Sequence, residues 1–504
     1  MPAPREFTVQ STRWRRAPIG FFCLVLAQCT LRVVGMVRAP INDPDVWWVA
    51  AAGRQMAETG AIPRQNLFGF TDPSHPWLMH EWLFGPVYAW GLTHFGPPGF
   101  VALAALLYAM ACALLVKGTL QSVRNPSSGL LLVYLALACF GFRFESARPT
   151  HVALLFPMAM VVIAFAPRFG VGHLAACAAL ELVWANSHGS FPLGILVLAL
   201  AALERSDGRR LRFYATGIAC AVTLMNPYGV QLHRFVADYF LAHDGIYREL
   251  ARQIDEFSSV FAARHVLPMQ RVGLAFAFGL ALSALPGRRY RLRATFCLLL
   301  VGMAARQTRH IELCGLLTCL LLAPRFDEWL SRLELFSSGR WVPGFWARSL
   351  LVALPLCVGL LGVGYRVRFQ SNHEWVPRSF LSALSAVPDD ARLYIPFESA
   401  GMAIWFGFER GISVYFDSRN DCYRPETFQD FQRIANPNTP PDKAGFLLAK
   451  RGTTHVLLPS ALGASRLSEP RWTRTRLLGS WQLFEANPVA RLDESRQPRL
   501  LVEP

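Results

Sequence analysis

The chain has 504 residues, 53% of them hydrophobic and 17% charged, with a net charge of +16. A soluble protein carries roughly 25% charged residues, and here the apolar excess falls in blocks of about 15 to 20 residues, the pattern of a multi-spanning membrane protein. The positive charge is no nucleic-acid footprint: the arginines stand at the ends of apolar blocks, where they orient helices and meet lipid headgroups.

The N-terminal stretch MPAPREFTVQSTRWRR is basic, and APIGFFCLVLAQCTLRVVGMV follows it. No convincing small-residue cleavage site closes that block, so it reads as a retained first span. Further spans are expected at about 98–117, 128–142, 150–166, 171–185, 188–203, 211–226, 267–286, 292–305, 310–324 and 345–364, about eleven with the first at 17–36. The clusters RWRR, KGTLQSVR, PRFG, ERSDGRRLR, GRRYRLR and PRFDEWLSRLELFSSGRW then all fall on the side of the N-terminus, which the positive-inside rule makes cytoplasmic. This holds only if 81–96 does not simply cross. That segment is short, aromatic and broken by Gly85 and Pro86. It suits an interfacial or re-entrant helix on the outer side, the alternative being a membrane hairpin with its tip at Gly96–Pro98.

Residues 365–504 change character, with strand-like ARLYIPF, ISVYFDS, THVLLP and SWQLFEAN between turn-rich stretches. They predict a small extracytoplasmic α/β domain behind an all-α membrane domain over 1–364. Ten of the eleven cysteines lie in or beside apolar blocks, as packing residues do, and Cys422 has no evident disulfide partner.

Unusual polar residues gather in the outward loops. The first outer loop, 37–97, opens with Asp43 and Asp45 around Pro44. Carboxylates so close to a span are costly unless paired, metal-bound or in a wet cavity. The pair suits proton acceptance from an attacking hydroxyl, or a divalent metal such as Mg or Mn. Asp45 also fits an N-cap for VWWVAAAGRQMAETG, which Gly60 ends as a C-cap. His80 and Glu81 stand beside Trp77 and Trp82, as partners of the aspartates, as metal ligands or as part of an interfacial belt. Arg143, Arg148 and His151, with Arg306, Arg309 and His310, offer cations for a phosphate near the outer surface. WANSHG contributes His188 between close-packed spans, NPYG (226–229) is a turn signal, and Asp255 and Glu256 lie within reach of the same face. FDSRNDCY (416–423) reads as a salt-bridged turn or an acceptor-recognition element. No P-loop, GxGxxG, GxSxG or zinc spacing is present, which argues against cytosolic nucleotide chemistry.

A first span, a loop with D-x-D-type acids, many further spans and an outer C-terminal domain resemble the GT-C superfamily of membrane glycosyltransferases. More closely, DPDVWWVAAAGRQMAETGAIPRQNLFGFTDPSHPWLMHEWL, ARPTHVALLF, WANSHGSF and NPYG are similar to a group of bacterial glycosyltransferase-like membrane proteins. That group often has tryptophan followed by histidine where this chain has Trp48–Val49. The resemblance implies transfer of a sugar from a polyprenyl-phosphate or -diphosphate donor to a lipid, glycan or protein acceptor at the outer face of a bacterial inner membrane. It implies Asp43, then Asp45, as base or metal ligand, with Arg148, Arg306 and Arg309 on the donor phosphate. The rival readings are a transporter or a non-catalytic scaffold in polysaccharide or lipid export, and a polysaccharide polymerase or ligase. A transporter should show paired repeats with charges at mid-membrane, and no internal repeat is evident.

Overall fold

A computed structural model of the chain describes residues 16–141, 151–241, 255–263, 266–332, 374–463, 467 and 471–487. The first part is helical: α1 (Arg16–Arg38), α2 (Asp45–Thr59), α3 (Gly85–Ser122), α4 (Pro126–Phe140), α5 (His151–Ala164), α6 (Val171–Ala185), α7 (Pro192–Glu204), α8 (Arg209–Val222) and α9 (Val230–Leu241). Helices Pro268–Ala284, Arg291–Arg306 and Ile311–Arg332 follow. Every expected span within the described residues is thus a helix, and 345–364 lies outside them. The expected count of about eleven crossings does not follow, however. Among the described residues, only Ile19–Arg38 and Gly85–Ser122 are long and apolar enough by themselves. The apolar helices α4 to α7 have 15, 14, 15 and 13 residues, short of the ~20 that a hydrocarbon layer of ~30 Å asks of a straight helix.

Inside the bundle, buried charge goes where backbone needs it. Arg32 of α1 is fully buried and donates to the carbonyls of Leu137, at 2.8 Å, and Gly141, at 2.5 Å. Both carbonyls lie at the C-terminal end of α4, where the helix dipole favours a cation, and that of Leu137 also accepts from Gly141 N at 2.9 Å.

The segment 81–96 behaves as its sequence breaks suggest. α3 is two helices joined at Gly96, whose φ of 63° and ψ of −164° are not helical, with Pro97 and Pro98 next. The chain reverses there. A Cβ on Gly99 would lie 2.9 Å from the Gly91 carbonyl oxygen, and the rings of Tyr88 and Phe100 are 5.2 Å apart. Twelve residues of straight helix would span ~18 Å. The first arm packs on α2 so closely that Gly53 and Gly85 leave no room for a side chain between them.

The C-terminal part is a mixed five-stranded sheet in the order β2-β1-β3-β5-β4. Its strands are β1 (Arg392–Tyr394), β2 (Ser413–Val414), β3 (His455–Pro459), β4 (Trp472–Leu478) and β5 (Trp481–Ala486). β2, β1 and β3 run parallel, while β5 pairs antiparallel with β3 and β4. The first outer loop is sewn to this unit. Gly69 bridges Val414 beside the edge strand β2, with Phe70 N to Val414 O at 3.1 Å and Val414 N to Phe68 O at 2.9 Å. Asp72 caps the Pro425–Ala435 helix, accepting from Arg424 N at 3.1 Å and Thr427 Oγ1 at 2.6 Å. Gly401 of the Phe397–Gly407 helix lies against Pro44, where a Cβ would be 2.2 Å from the Pro44 oxygen.

Candidate active site

α2 forms because an alanine-rich, amphipathic stretch begins in an acidic turn and ends at Gly60, whose φ of 67° closes it as expected. The capping roles differ from expectation. Pro44 holds the N-cap position without a side-chain bond, Asp45 is the first helical residue, and Asp43 Oδ1 accepts from Asp45 N at 3.0 Å. A single short turn therefore sets both carboxylates at the helix start. Asp45 Oδ1 accepts from Trp48 Nε1 at 2.9 Å, and the same indole nitrogen lies 3.0 Å from Ser418 Oγ.

Ser418 comes from the C-terminal unit, and its segment adds a further acid. FDSRNDCY is a salt-bridged turn: Arg419 Nη2 meets Asp417 Oδ2 at 2.7 Å and Asn66 Oδ1 of the first loop at 2.7 Å. Tyr423 donates to Asp417 Oδ2 at 2.7 Å, and Arg419 lies over the rings of Trp77 (4.7 Å) and Phe68 (4.8 Å). That fixed turn puts Asp421 within electrostatic range of Asp45. Cys422 is buried and free.

The carboxylates tell of one enclosed negative site. Burial, then the charge of Asp43, raises Asp45 to about 7, against the hydrogen bonds from Ser418 and Trp48. Burial raises Asp421 to about 7. Glu81 is pushed well above the usual carboxylate range by burial, then by Asp45, Asp43 and Asp421, with Arg309 acting the other way. Glu256 also acts on Asp45. Clustered acids in low dielectric hold protons because they cannot all ionise together.

Within electrostatic range of Glu81, Arg309 Nη1 donates to Tyr239 Oη at 2.8 Å, and its guanidinium lies 4.9 Å from the rings of Tyr239 and Phe257. His80 stands 3.8 Å from Glu81, and its ring centroid is 6.5 Å from that of His188. Burial lowers His80 to about 4 and His188 to about 3, so both are neutral imidazoles at pH 7. His188 Nδ1 is 2.9 Å from Ser190 Oγ. His310 packs on Phe240 (5.8 Å), contacts Gln307 at 3.2 Å and acts electrostatically on His188.

Asp43, Asp45, His80, Glu81, His188, Arg309 and His310 are thus brought into one neighbourhood. His151 is buried in the bundle with its ring 6.4 Å from that of Tyr108, and Arg306 is exposed at a helix end. Arg143 and Arg148 lie outside the described residues. Sequence reasoning missed Ser418, Trp48, Tyr239 and Phe257 as builders of the site, and gave Asp421 only as part of a turn. The density of polar residues straight after a strand was the one available signal for Ser418 and Asp421. The NPYG turn has a structural part: Tyr228 Oη accepts from Met79 N at 3.0 Å, and Pro227 O from Arg64 at 3.0 Å, steadying the loop that carries His80.

For a divalent metal, Asp43 and Asp45 are the natural donors. Among the described residues no three His, Cys, Asp or Glu side chains converge as a cation cage, and Asp43 Oδ1 and Asp45 Oδ1 already accept protein hydrogen bonds.

No family model matches the chain, and no characterised protein sequence does. Solved structures do. The archaeal oligosaccharyltransferase AglB from Archaeoglobus fulgidus, in complex with an inhibitory peptide and a dolichol-phosphate, superposes with a TM-score of 0.60 at 9% identity, over 89% of this chain and 70% of that one. ArnT from Cupriavidus metallidurans bound to undecaprenyl phosphate superposes with a TM-score of 0.53 at 13% identity, over 94% of this chain and 98% of that one. The chain thus shares its overall fold with these two solved structures.

Proposed function

We propose that this protein is a membrane glycosyltransferase that moves a sugar from a polyprenyl-phosphate or -diphosphate donor to an acceptor hydroxyl at the outer face of a bacterial inner membrane. The observation that carries the reading is the enclosed group of Asp43, Asp45, Glu81 and Asp421 facing Arg309 on a GT-C fold. The two superposed structures hold lipid phosphates, dolichol-phosphate in one and undecaprenyl phosphate in the other.

Asp45 keeps its proton up to about pH 7, which leaves Asp43 as the carboxylate of the pair. Asp43 accepts the proton of the acceptor hydroxyl as its oxygen bonds to the anomeric carbon of the sugar. The bond from that carbon to the phosphate oxygen breaks, and the lipid phosphate leaves with the electron pair. Arg309, oriented by Tyr239 and Phe257, places a fixed cation for the phosphate. The neutral His80 and His188 serve there as hydrogen-bonding groups and not as charges.

The test uses purified protein in nanodiscs, offered polyprenyl-phosphate sugars, with donor consumption followed by mass spectrometry. Wild type should consume a donor, and Asp43→Asn should lose ~10²–10⁴-fold, the usual contribution of a general base. No turnover by folded wild type across a broad donor panel overturns the reading in favour of a transporter or scaffold.

A further inference from the structure

We infer that the 85–95 arm of α3 is inserted into the outer leaflet, with Val87, Trp90 and Phe95 touching lipid acyl chains. This goes beyond the transfer reaction and does not depend on it.

The second arm provides a ruler. After the turn, Ala102, Leu106, Ala109, Met110 and Ala113 are exposed at helical spacing, with Leu106 57% and Met110 46% exposed, and the stripe ends at the exposed Lys117. An apolar stripe on a helix of this hydropathy faces lipid, and a lysine at its cytoplasmic end reaches out to the headgroups. Pro98 and Lys117 are nineteen positions apart, about 28 Å of helix, which matches a hydrocarbon layer of ~30 Å. The Gly96–Pro98 turn therefore stands at the outer boundary of that layer.

The first arm does not project away from this point. It comes back beside the span, since Tyr88 touches Phe100 and Gly91 touches Gly99. Its inner face, Gly85, Tyr88, Ala89, Gly91 and Leu92, is buried. Its outer face is apolar and open: Val87 is 43% exposed, Trp90 56% and Phe95 58%. In water such a face is an aggregation liability, whereas in an outer leaflet it is matched. The polar groups of the arm, Thr93 and His94, lie at its outer end near the turn, where headgroups are. Eleven residues of helix reach only ~16 Å, too short to cross, and at its start Gly85 touches Gly53, next to Arg54 and its ion pair with the exposed Glu409, so the arm lies shallow in the outer leaflet. His80 and Glu81 immediately precede it, so the arm joins the acidic site to the outer membrane surface.

The test places the photoreactive residue p-benzoylphenylalanine at Val87, Trp90 or Phe95 in the full chain, in nanodiscs of defined phospholipid. After irradiation, peptide mass spectrometry looks for covalent phospholipid adducts. Leu106 serves as the lipid-facing reference and the exposed Glu58 of α2 as the aqueous one. Adducts at 87 and 90 in yields comparable to 106, and absent at 58, support the inference. Adducts at 106 with none at 87 and 90 overturn it, because the arm then lies outside the leaflet. All three positions are exposed, so the replacements leave the buried packing in place.

Discussion

Replacing Arg419 with leucine tests whether the C-terminal unit truly builds the site. Arg419 and Asp417 are fully buried, with side chains 2.7 Å apart, and Arg419 also holds Asn66 at 2.7 Å and covers Trp77 and Phe68. Removing one partner of such a pair leaves Asp417 as an uncompensated buried charge, a loss of about 3–5 kcal/mol. Through 1.4 kcal/mol per decade, that is roughly a hundred- to a few-thousand-fold easier opening of the contact between the first loop and the 416–423 turn. Hydrogen exchange of the 66–77 and 416–423 amides in nanodiscs reads this opening directly. Asp417→Asn combined with Arg419→Leu removes both charges, so most of the loss should return. A residue of about 1–2 kcal/mol should persist, because the stacking on two aromatic rings is gone in both variants. Unchanged exchange in Arg419→Leu, or a double variant as loose as the single one, would refute the argument.

Gly401→Ala places a methyl 2.2 Å from the Pro44 carbonyl oxygen, between the two aspartates. We expect a loss of about 1–3 kcal/mol in thermal stability and a marked drop in donor consumption, whereas Gly407→Ala, whose methyl would lie 3.2 Å from Ile412 side-chain atoms and meet no backbone atom, should cost less. Titration gives a second check. Asp45 and Asp421 are raised from 3.8 to about 7 in the folded chain, so their contribution is present at low pH and is lost as pH rises through 7. His80 and His188 are lowered from 6.5 to about 4 and 3, so theirs is present above pH 6.5 and is lost as pH falls. Thermal stability in nanodiscs should therefore decline between pH 6.5 and 8, and Asp421→Asn should flatten that decline; an unaltered slope counts against the burial of Asp421. Turnover should fall above an apparent pKa of about 7, as Asp45 ionises beside Asp43, and Asp45→Asn should abolish that alkaline limb; its persistence would remove Asp45 as the titrating group.

Local signals in the sequence settled the helices, because each rests on neighbours within a few residues. Gly60 closes α2, Gly96 with two prolines breaks α3, and the apolar blocks from 126 to 204 become α4 to α7. The acids of the first loop were also legible, since charge next to an apolar run is costly and conspicuous. How many helices cross was not legible: block length measures apolarity, while α4 to α7 are too short to count as spans by length. The candidate site itself was decided by tertiary structure. Asp45 meets Ser418 and Asp421 from a segment more than 370 residues away, and no periodicity reports such a contact. Its electrostatics followed from the same packing: His80, His188 and Arg309 were all candidate site residues able to carry positive charge, but burial lowers both histidines and leaves them neutral at pH 7. Residue type named the groups that can carry charge, and enclosure by two distant parts of the chain decided which of them do.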